Sequence, residues 1–160
     1  MKLGVISDSH DNLPMIRQAV LYFNEHEPVD AVVHAGDYVA PFSLREFAKL
    51  KMPFYGVFGN NDGEHEGINA VMPQIQEPPL YLELAGRRIV VIHDLAKLPD
   101  HAADNAEIII CGHTHQKKVE RTDKLLVNPG ELGGWLTGKC TVAMIDLATT
   151  DVEVIYLREE

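Results

Sequence analysis

Apolar runs bounded by polar clusters divide the chain into short elements whose period changes between its two halves. Residues 2–7 form a short apolar run that reads as a first strand, and Asp11-Asn12-Leu13-Pro14 follows as a helix start with proline in the first turn. Leu13, Ile16, Val20 and Phe23 then recur near helical spacing, a stripe that packs on a sheet. Residues 29–34 read as a second buried strand, 41–50 as a second helix through Phe42, Leu44 and Phe47, and 53–58 as a third strand. Strand alternating with helix predicts parallel pairing.

After a short helix around residues 64–71, the pattern becomes one of strands joined by turns. Residues 80–84, the Ala85-Gly86 turn, 88–93 and 107–111 come first. Residues 117–121 and 124–128 flank Thr122-Asp123 as a hairpin, and 140–146 with 152–157 read as a final antiparallel pair. The predicted fold is α/β: two packed mixed β-sheets flanked by helices, a four-layer α-β-β-α sandwich. No linker or repeat interrupts the pattern, so one domain over residues 1–160 is expected.

Composition changes this picture mainly by exclusion. Fourteen Lys plus Arg against 24 Asp plus Glu give a formal charge of −10, which would repel a long polyanion and argues against extended nucleic-acid binding. No stretch is apolar enough to cross a bilayer, and residues 1–8 lack the succession of a signal peptide, so no membrane partner and a cytoplasmic location are expected. Cys111 and Cys140 lack paired spacing and read as buried thiols. A small anionic substrate stays compatible with the negative charge, because divalent ions in a pocket would dominate its field.

The chemistry lies at the strand ends. Val5-Ile6 leads into Asp8-Ser9-His10, Val32-Val33 into His34-Ala35-Gly36-Asp37, and Val57-Phe58 into Gly59-Asn60-Asn61-Asp62. Val91-Ile92 leads into His93-Asp94, and Ile109-Ile110-Cys111 into Gly112-His113-Thr114-His115. Ligand sites of open α/β sheets lie beyond the carboxyl ends of strands, so these clusters are placed to converge. On an extended backbone, residues i and i+2 share a side, which predicts that Asp8 with His10, and His113 with His115, each offer two ligands together. Imidazole, carboxylate and amide donors suit manganese, iron, zinc, cobalt or nickel rather than calcium. The ligands are too numerous for one tetrahedral ion, and a carboxylate shared between two sites, Asp8 or Asp37, would serve two metals.

These motifs resemble those of the calcineurin-like metallophosphoesterases, in particular their small single-domain phosphodiesterase branch. The ordered pattern D-x-H, G-D, G-N-[HN]-[DE], H and G-H-x-H is matched by Asp8-Ser9-His10, Gly36-Asp37, Gly59-Asn60-Asn61-Asp62, His93 and Gly112-His113-Thr114-His115. The resemblance implies two divalent metal ions, manganese first among them, with nickel, iron, zinc and cobalt as alternatives. It assigns Asp8, His10 and His115 to one ion, Asn60, His93 and His113 to the other, and Asp37 to the bridge. It further implies a metal-dependent phosphoesterase, in first place a phosphodiesterase, in which a hydroxide held between the ions attacks phosphorus. Gly36, Gly59 and Gly112 would turn the chain and admit the metals, while Asn128-Pro129-Gly130 matches a loop whose chemistry its residue types do not disclose.

Two positions depart from the family pattern. Asn61 stands where many members carry a histidine that assists the leaving group, so Asn61 is expected to contact a phosphoryl oxygen, with Asp62 or water as proton source. His93-Asp94-Leu95 stands where relatives often read His-Gly-His, and His101 is a candidate substitute. Asp62 is otherwise read as a carboxylate that orients a histidine, His34 as a core or supporting residue, and His26 and His65 as surface residues. The expected partner is a small phosphate-ester substrate. The Gly133–Gly138 segment with Trp135 is a candidate contact for a homodimer. Alternatives are a phosphomonoesterase and a non-catalytic protein-binding scaffold, a role the same fold plays in a membrane-trafficking coat.

Overall fold

The computed structural model describes residues 1–158 and contains two mixed sheets. The first has the order β11-β10-β1-β2-β3-β4, built from β1 (Lys2–Ile6), β2 (Ala31–His34), β3 (Phe54–Val57), β4 (Ile75–Gln76), β10 (Cys140–Asp146) and β11 (Val152–Leu157). The second has the order β5-β6-β7-β9-β8, from β5 (Leu80–Leu84), β6 (Arg87–Val91), β7 (Ile108–Ile110), β8 (Lys118–Arg121) and β9 (Leu125–Asn128). As the alternation predicts, β1, β2, β3 and β4 pair in parallel, and β10 joins β1 antiparallel. In the second sheet β6, β7 and β9 are parallel, with β5 and β8 antiparallel at the edges.

Helix α1 (Leu13–Leu21) begins where Asn12 accepts a hydrogen bond from Met15 N, with Pro14 in the first turn. The chain then widens into a π-helical turn over Tyr22–His26 that carries Phe23 fully into the core. Helices α2 (Pro41–Phe47) and α3 (His65–Val71) are shorter. All three helices feed one apolar cluster on the outer face of the first sheet, through Ile16, Val20, Leu44, Phe47 and Ile68. The second cluster lies between the sheets, where Leu3, Val5, Val33 and Ile145 meet Ile89, Val91, Ile108, Ile110 and Val127.

The α/β class and the two packed mixed sheets are as expected. The outer layers are unequal. Over the second sheet lie the single 3₁₀ turn Leu95–Lys97 and irregular chain near residues 101–106, tied down by a bond from Arg88 Nε to the Asn105 carbonyl. The physical reason is that this outer face is half polar, with exposed Tyr81, Glu83 and Arg88, and leaves little apolar surface for a helix to bury. Among the described residues, no helix is long and apolar enough to cross a membrane. Cys111 is buried and Cys140 half-buried, and neither forms a disulfide.

Ile110 fills the inter-sheet core directly before the Gly112-His113-Thr114-His115 loop. Ile110→Ala is expected to destabilise the fold by about 2–5 kcal/mol, read as a lower urea midpoint at unchanged slope.

Candidate metal centre

The parallel strands β1, β2, β3, β6, β7 and β9 all deliver their carboxyl ends to one edge of the sandwich. The following loops interlock there: Ala35 N donates to Ile6 O, Asp8 N to Gly36 O, and Gly112 N to His93 O. Side chains from separate loops thereby meet. Asp8 Oδ1 lies 3.8 Å from His10 Nε2 and 3.5 Å from His115 Nε2. Asp37 Oδ2 lies 3.4 Å from the Nε2 atoms of both His10 and His93. Asn60 Oδ1 is 2.9 Å from His93 Nε2 and 2.9 Å from His113 Nδ1. Two ligand groups result, Asp8-His10-His115 and Asp8-Asp37-His93, each with donor atoms within 4.8 Å of one another.

The donor set fits a pair of cations. Asp8 Oδ1 and His10 Nε2 are buried yet have no hydrogen-bond partner, a condition that costs about 1–3 kcal/mol per group unless a ligand takes the lone pair. The other Asp8 oxygen is fully used, accepting from Ser7 Oγ at 2.6 Å and His113 N at 3.0 Å. Ring orientation points the same way: His93 Nδ1 donates to the Ala35 carbonyl at 2.8 Å and His115 Nδ1 to Glu131 Oε2 at 2.8 Å. Each ring so held presents Nε2 to the centre.

The facing charges shift the titration of these groups. The Asp8 carboxylate, against the opposing effect of burial, keeps the His10 ring protonated above its ordinary value. Burial lowers the His93 value, but Asp37 more than compensates and raises it overall. Burial likewise disfavours the charged Asp37 carboxylate, and the His93 ring with the Asn61 amides outweighs it, so Asp37 stays ionised far below the usual range.

The backbone here is unusual. Asp8, His10, Asp37, His113 and His115 all have positive φ, between 41° and 69°. Such conformations cost about 1–3 kcal/mol each and persist because the interlocked loops over-determine them. They also correct the expectation of extended i, i+2 pairs. Asp8 and His10 do converge, whereas His113 turns toward Asn60 and His115 toward Asp8, on separate ligand groups. Gly36 turns at φ +100°, and a Cβ on Gly112 would stand 1.8 Å from Ser7 Oγ, so the expected glycines serve both a turn and a close approach.

Comparison with known proteins agrees with this geometry. The family model for the calcineurin-like phosphoesterase superfamily domain matches residues 1–150. The chain belongs to this superfamily. It is 35% identical over 169 aligned residues to the phosphodiesterase MJ0936 of Methanocaldococcus jannaschii, covering 98% of this chain and 99% of that protein. A solved structure described as a novel archaeal phosphodiesterase superposes with a TM-score of 0.88 at 32% identity, covering 98% of this chain and 100% of the other. Vps29 of Entamoeba histolytica, solved with Zn2+, superposes at 0.70 with 18% identity and 98% coverage of both chains, a likeness of fold alone.

Within this candidate centre, several residues take other places than the sequence predicts. Asp62 orients no histidine: its Oδ2 accepts from Asp37 N at 2.8 Å and Gly59 N at 2.7 Å, and its Oδ1 from Val39 N at 2.8 Å. Those amides fix the loop that carries Asp37 and occupy both Asp62 oxygens, which removes it as a proton source. Asn61 grips Asp37 instead of facing outward, donating from N to Oδ1 at 2.8 Å and from Nδ2 to Oδ2 at 2.7 Å. His101 is exposed and bonded to Asp104, in a cleft with Tyr81 and Arg88 on the outside of the second sheet, so it does not replace the missing histidine. His34 is buried, accepts from Gly36 N at Nδ1 and so donates from Nε2 to Ser9 Oγ. It ties the first two ligand loops together.

Two carboxylates take roles that the sequence reading did not assign, although Asp94 stood in one of its strand-end clusters. Asp94 Oδ2 stands 3.8 Å from His113 Nε2 and supports that ring from the outer side. Glu131 is fully buried behind His115 and also accepts from the amides of Leu136 and Thr137. It directly follows Asn128-Pro129-Gly130, which gives that motif a purpose. Gly133 N donates to Asp8 O, and Trp135 Nε1 to His10 O at 3.0 Å, so this one loop holds all three residues of the Asp8-His10-His115 group.

Glu131→Gln is expected to weaken divalent-metal binding at the Asp8-His10-His115 group by about 10- to 100-fold, measured by calorimetry, with the circular dichroism spectrum unchanged. Because His10 and His93 hold protons above their ordinary value, metal uptake must displace them. Binding is therefore expected to be weaker at about pH 6 than at about pH 8 and to release protons, read as a buffer-dependent binding enthalpy.

Proposed function

We propose that this chain is a metal-dependent phosphodiesterase with a dinuclear centre. Asp8, His10 and His115 would hold one divalent ion, Asn60, His93 and His113 the other, and Asp37 both. The observation that carries the reading is the position of Asp37 Oδ2, equally 3.4 Å from His10 Nε2 on one side and His93 Nε2 on the other. A single carboxylate oxygen between His10 and His93 is an arrangement that suits a shared ligand, and Asp8, common to both ligand groups, stands beside it. The likeness to the archaeal phosphodiesterase, over nearly the whole of both chains, supports a diester as substrate.

When bound, a pair of divalent ions supplies an activated water at neutral pH and neutralises charge on the phosphoryl oxygens. The chain's own residues prepare that chemistry. Ala35 and Glu131 fix the tautomers of His93 and His115. Ser7, Asp62 and His34 hold the ligand loops through buried hydrogen bonds, which keeps the centre rigid before substrate arrives. Asn60 and His113 are exposed, which makes their side the open approach for a small ester. Asn61 Nδ2 donates to Asp37 Oδ2, and with Asp37 holding a cation that N–H would be free to donate to a phosphoryl oxygen. No side chain at the centre is placed as a nucleophile: Cys111 is buried, and burial pushes its thiol up to about 11.

Metal-stripped protein is expected to regain hydrolysis of bis(p-nitrophenyl) phosphate on addition of manganese, nickel or cobalt, at a higher rate than of p-nitrophenyl phosphate. Asp37→Asn is expected to lower the diester rate by at least about 10³-fold without unfolding the protein. Faster turnover of the monoester would replace the diesterase reading by a phosphomonoesterase, and stoichiometric metal without turnover of either ester would favour the scaffold.

A further inference from the structure

Beside His115 the surface opens into a cleft of about 300 Å³. Its walls include Lys117, Lys139, Thr137, Leu136 and Tyr156, and no carboxylate lines it. In a chain with 24 acidic residues and a net charge of −10, two lysines stand in the lining of this cleft, and the carboxylate nearest to it, Glu131, is buried behind His115, Leu136 and Thr137 and engaged by them. The pairing of the lysines sharpens the contrast. Lys2, Lys49, Lys51, Lys97 and Lys118 each face a carboxylate, and Lys124 Nζ donates to the carbonyls of Asp104 and Ala106. Among the described residues, only Lys117 and Lys139 have ammonium groups with no hydrogen-bond acceptor or carboxylate partner, and both stand in this cleft. Lys117 Nζ is 5.3 Å from the centroid of the Tyr156 ring, which directs it along the cleft wall.

The cleft adjoins the candidate metal centre at His115, whose Nε2 faces Asp8 inside while the ring forms part of the cleft wall. A phosphate ester seated at the centre with one substituent directed to the His115 side, rather than to the open Asn60 and His113 side, would bring that substituent toward Lys117 and Lys139. Two unpaired ammonium groups, a threonine hydroxyl and an aromatic wall suit an anionic, multiply hydrogen-bonding group better than a neutral apolar one. We infer that this cleft is a subsite for a second phosphoryl group, and that the substrates this chain prefers are phosphodiesters that carry a further phosphate on one ester arm. The inference rests on the phosphodiesterase reading and names its substrate class.

The matched dinucleotides dTpdT and pdTpdT differ only by a terminal phosphate and test this directly, with bis(p-nitrophenyl) phosphate as a reference in the same manganese-loaded preparation. The wild-type protein is expected to show a kcat/KM for pdTpdT at least about fivefold above that for dTpdT, carried by KM, and the advantage should shrink as salt is raised. In K117Q/K139Q the ratio is expected to fall to about one. Inorganic pyrophosphate titrated calorimetrically into metal-stripped wild-type protein should bind more tightly than to metal-stripped K117Q/K139Q, a readout independent of turnover. A wild-type ratio at or below one, a ratio that survives in K117Q/K139Q, or an equal loss on both substrates would overturn the subsite. Failure of the phosphodiesterase reading would look different, since bis(p-nitrophenyl) phosphate would then not be hydrolysed either.

Discussion

Two buried carboxylates, Asp8 and Asp37, face the same small space at the ends of β1 and β2, and the rest of the edge is built around them. Like charges this close and this well buried are tolerable only beside cations and oriented donors. The rings of His10 and His93 face these carboxylates and the Asn61 amides donate to Asp37. Asp8 Oδ1 and His10 Nε2, buried without a hydrogen-bond partner, mark where a cation would fit.

The architecture follows from that demand. Parallel strands in two sheets send their carboxyl ends to one edge, and their loops bond to each other through backbone groups rather than standing free. This is what holds five candidate ligand residues in left-handed conformations, which an isolated loop would abandon. Asp62 illustrates the economy of the design: one buried carboxylate gathers the amides of Asp37, Val39 and Gly59, and so aligns two ligand loops. Glu131 performs the same service on the opposite side, linking His115 to a loop that also touches Asp8 and His10 through their carbonyls.

Much of this was legible in the chain. Most strands and the three helices show as apolar runs because each has a face or both faces in the core, the fully exposed edge strand β8 apart, and the candidate ligand clusters stand out because polar residues interrupt those runs at their ends. The two-residue strand β4 was not legible, since Ile75-Gln76 is too short to show a period. Nor was the ligand backbone: strand alternation suggested joint chelation by His113 and His115, and tertiary hydrogen bonds to the left-handed turns sent them to different groups. Glu131 carried no local signal, and Asp94 stood in a strand-end cluster without its partner being visible, because each acts on a ring that only the folded loops bring near, Glu131 from 16 residues beyond its histidine. Asp62 was visible as a supporting carboxylate, but its partners are backbone amides, which no side-chain motif records.

The central claim is that this edge holds two cations that share Asp37. Anomalous diffraction from crystals grown with manganese tests it most directly. The account predicts two peaks about 3.5–4 Å apart, one against Asp8, His10 and His115, the other against Asn60, His93 and His113, with Asp37 between them. A single peak, or manganese bound away from Asp37, would contradict it.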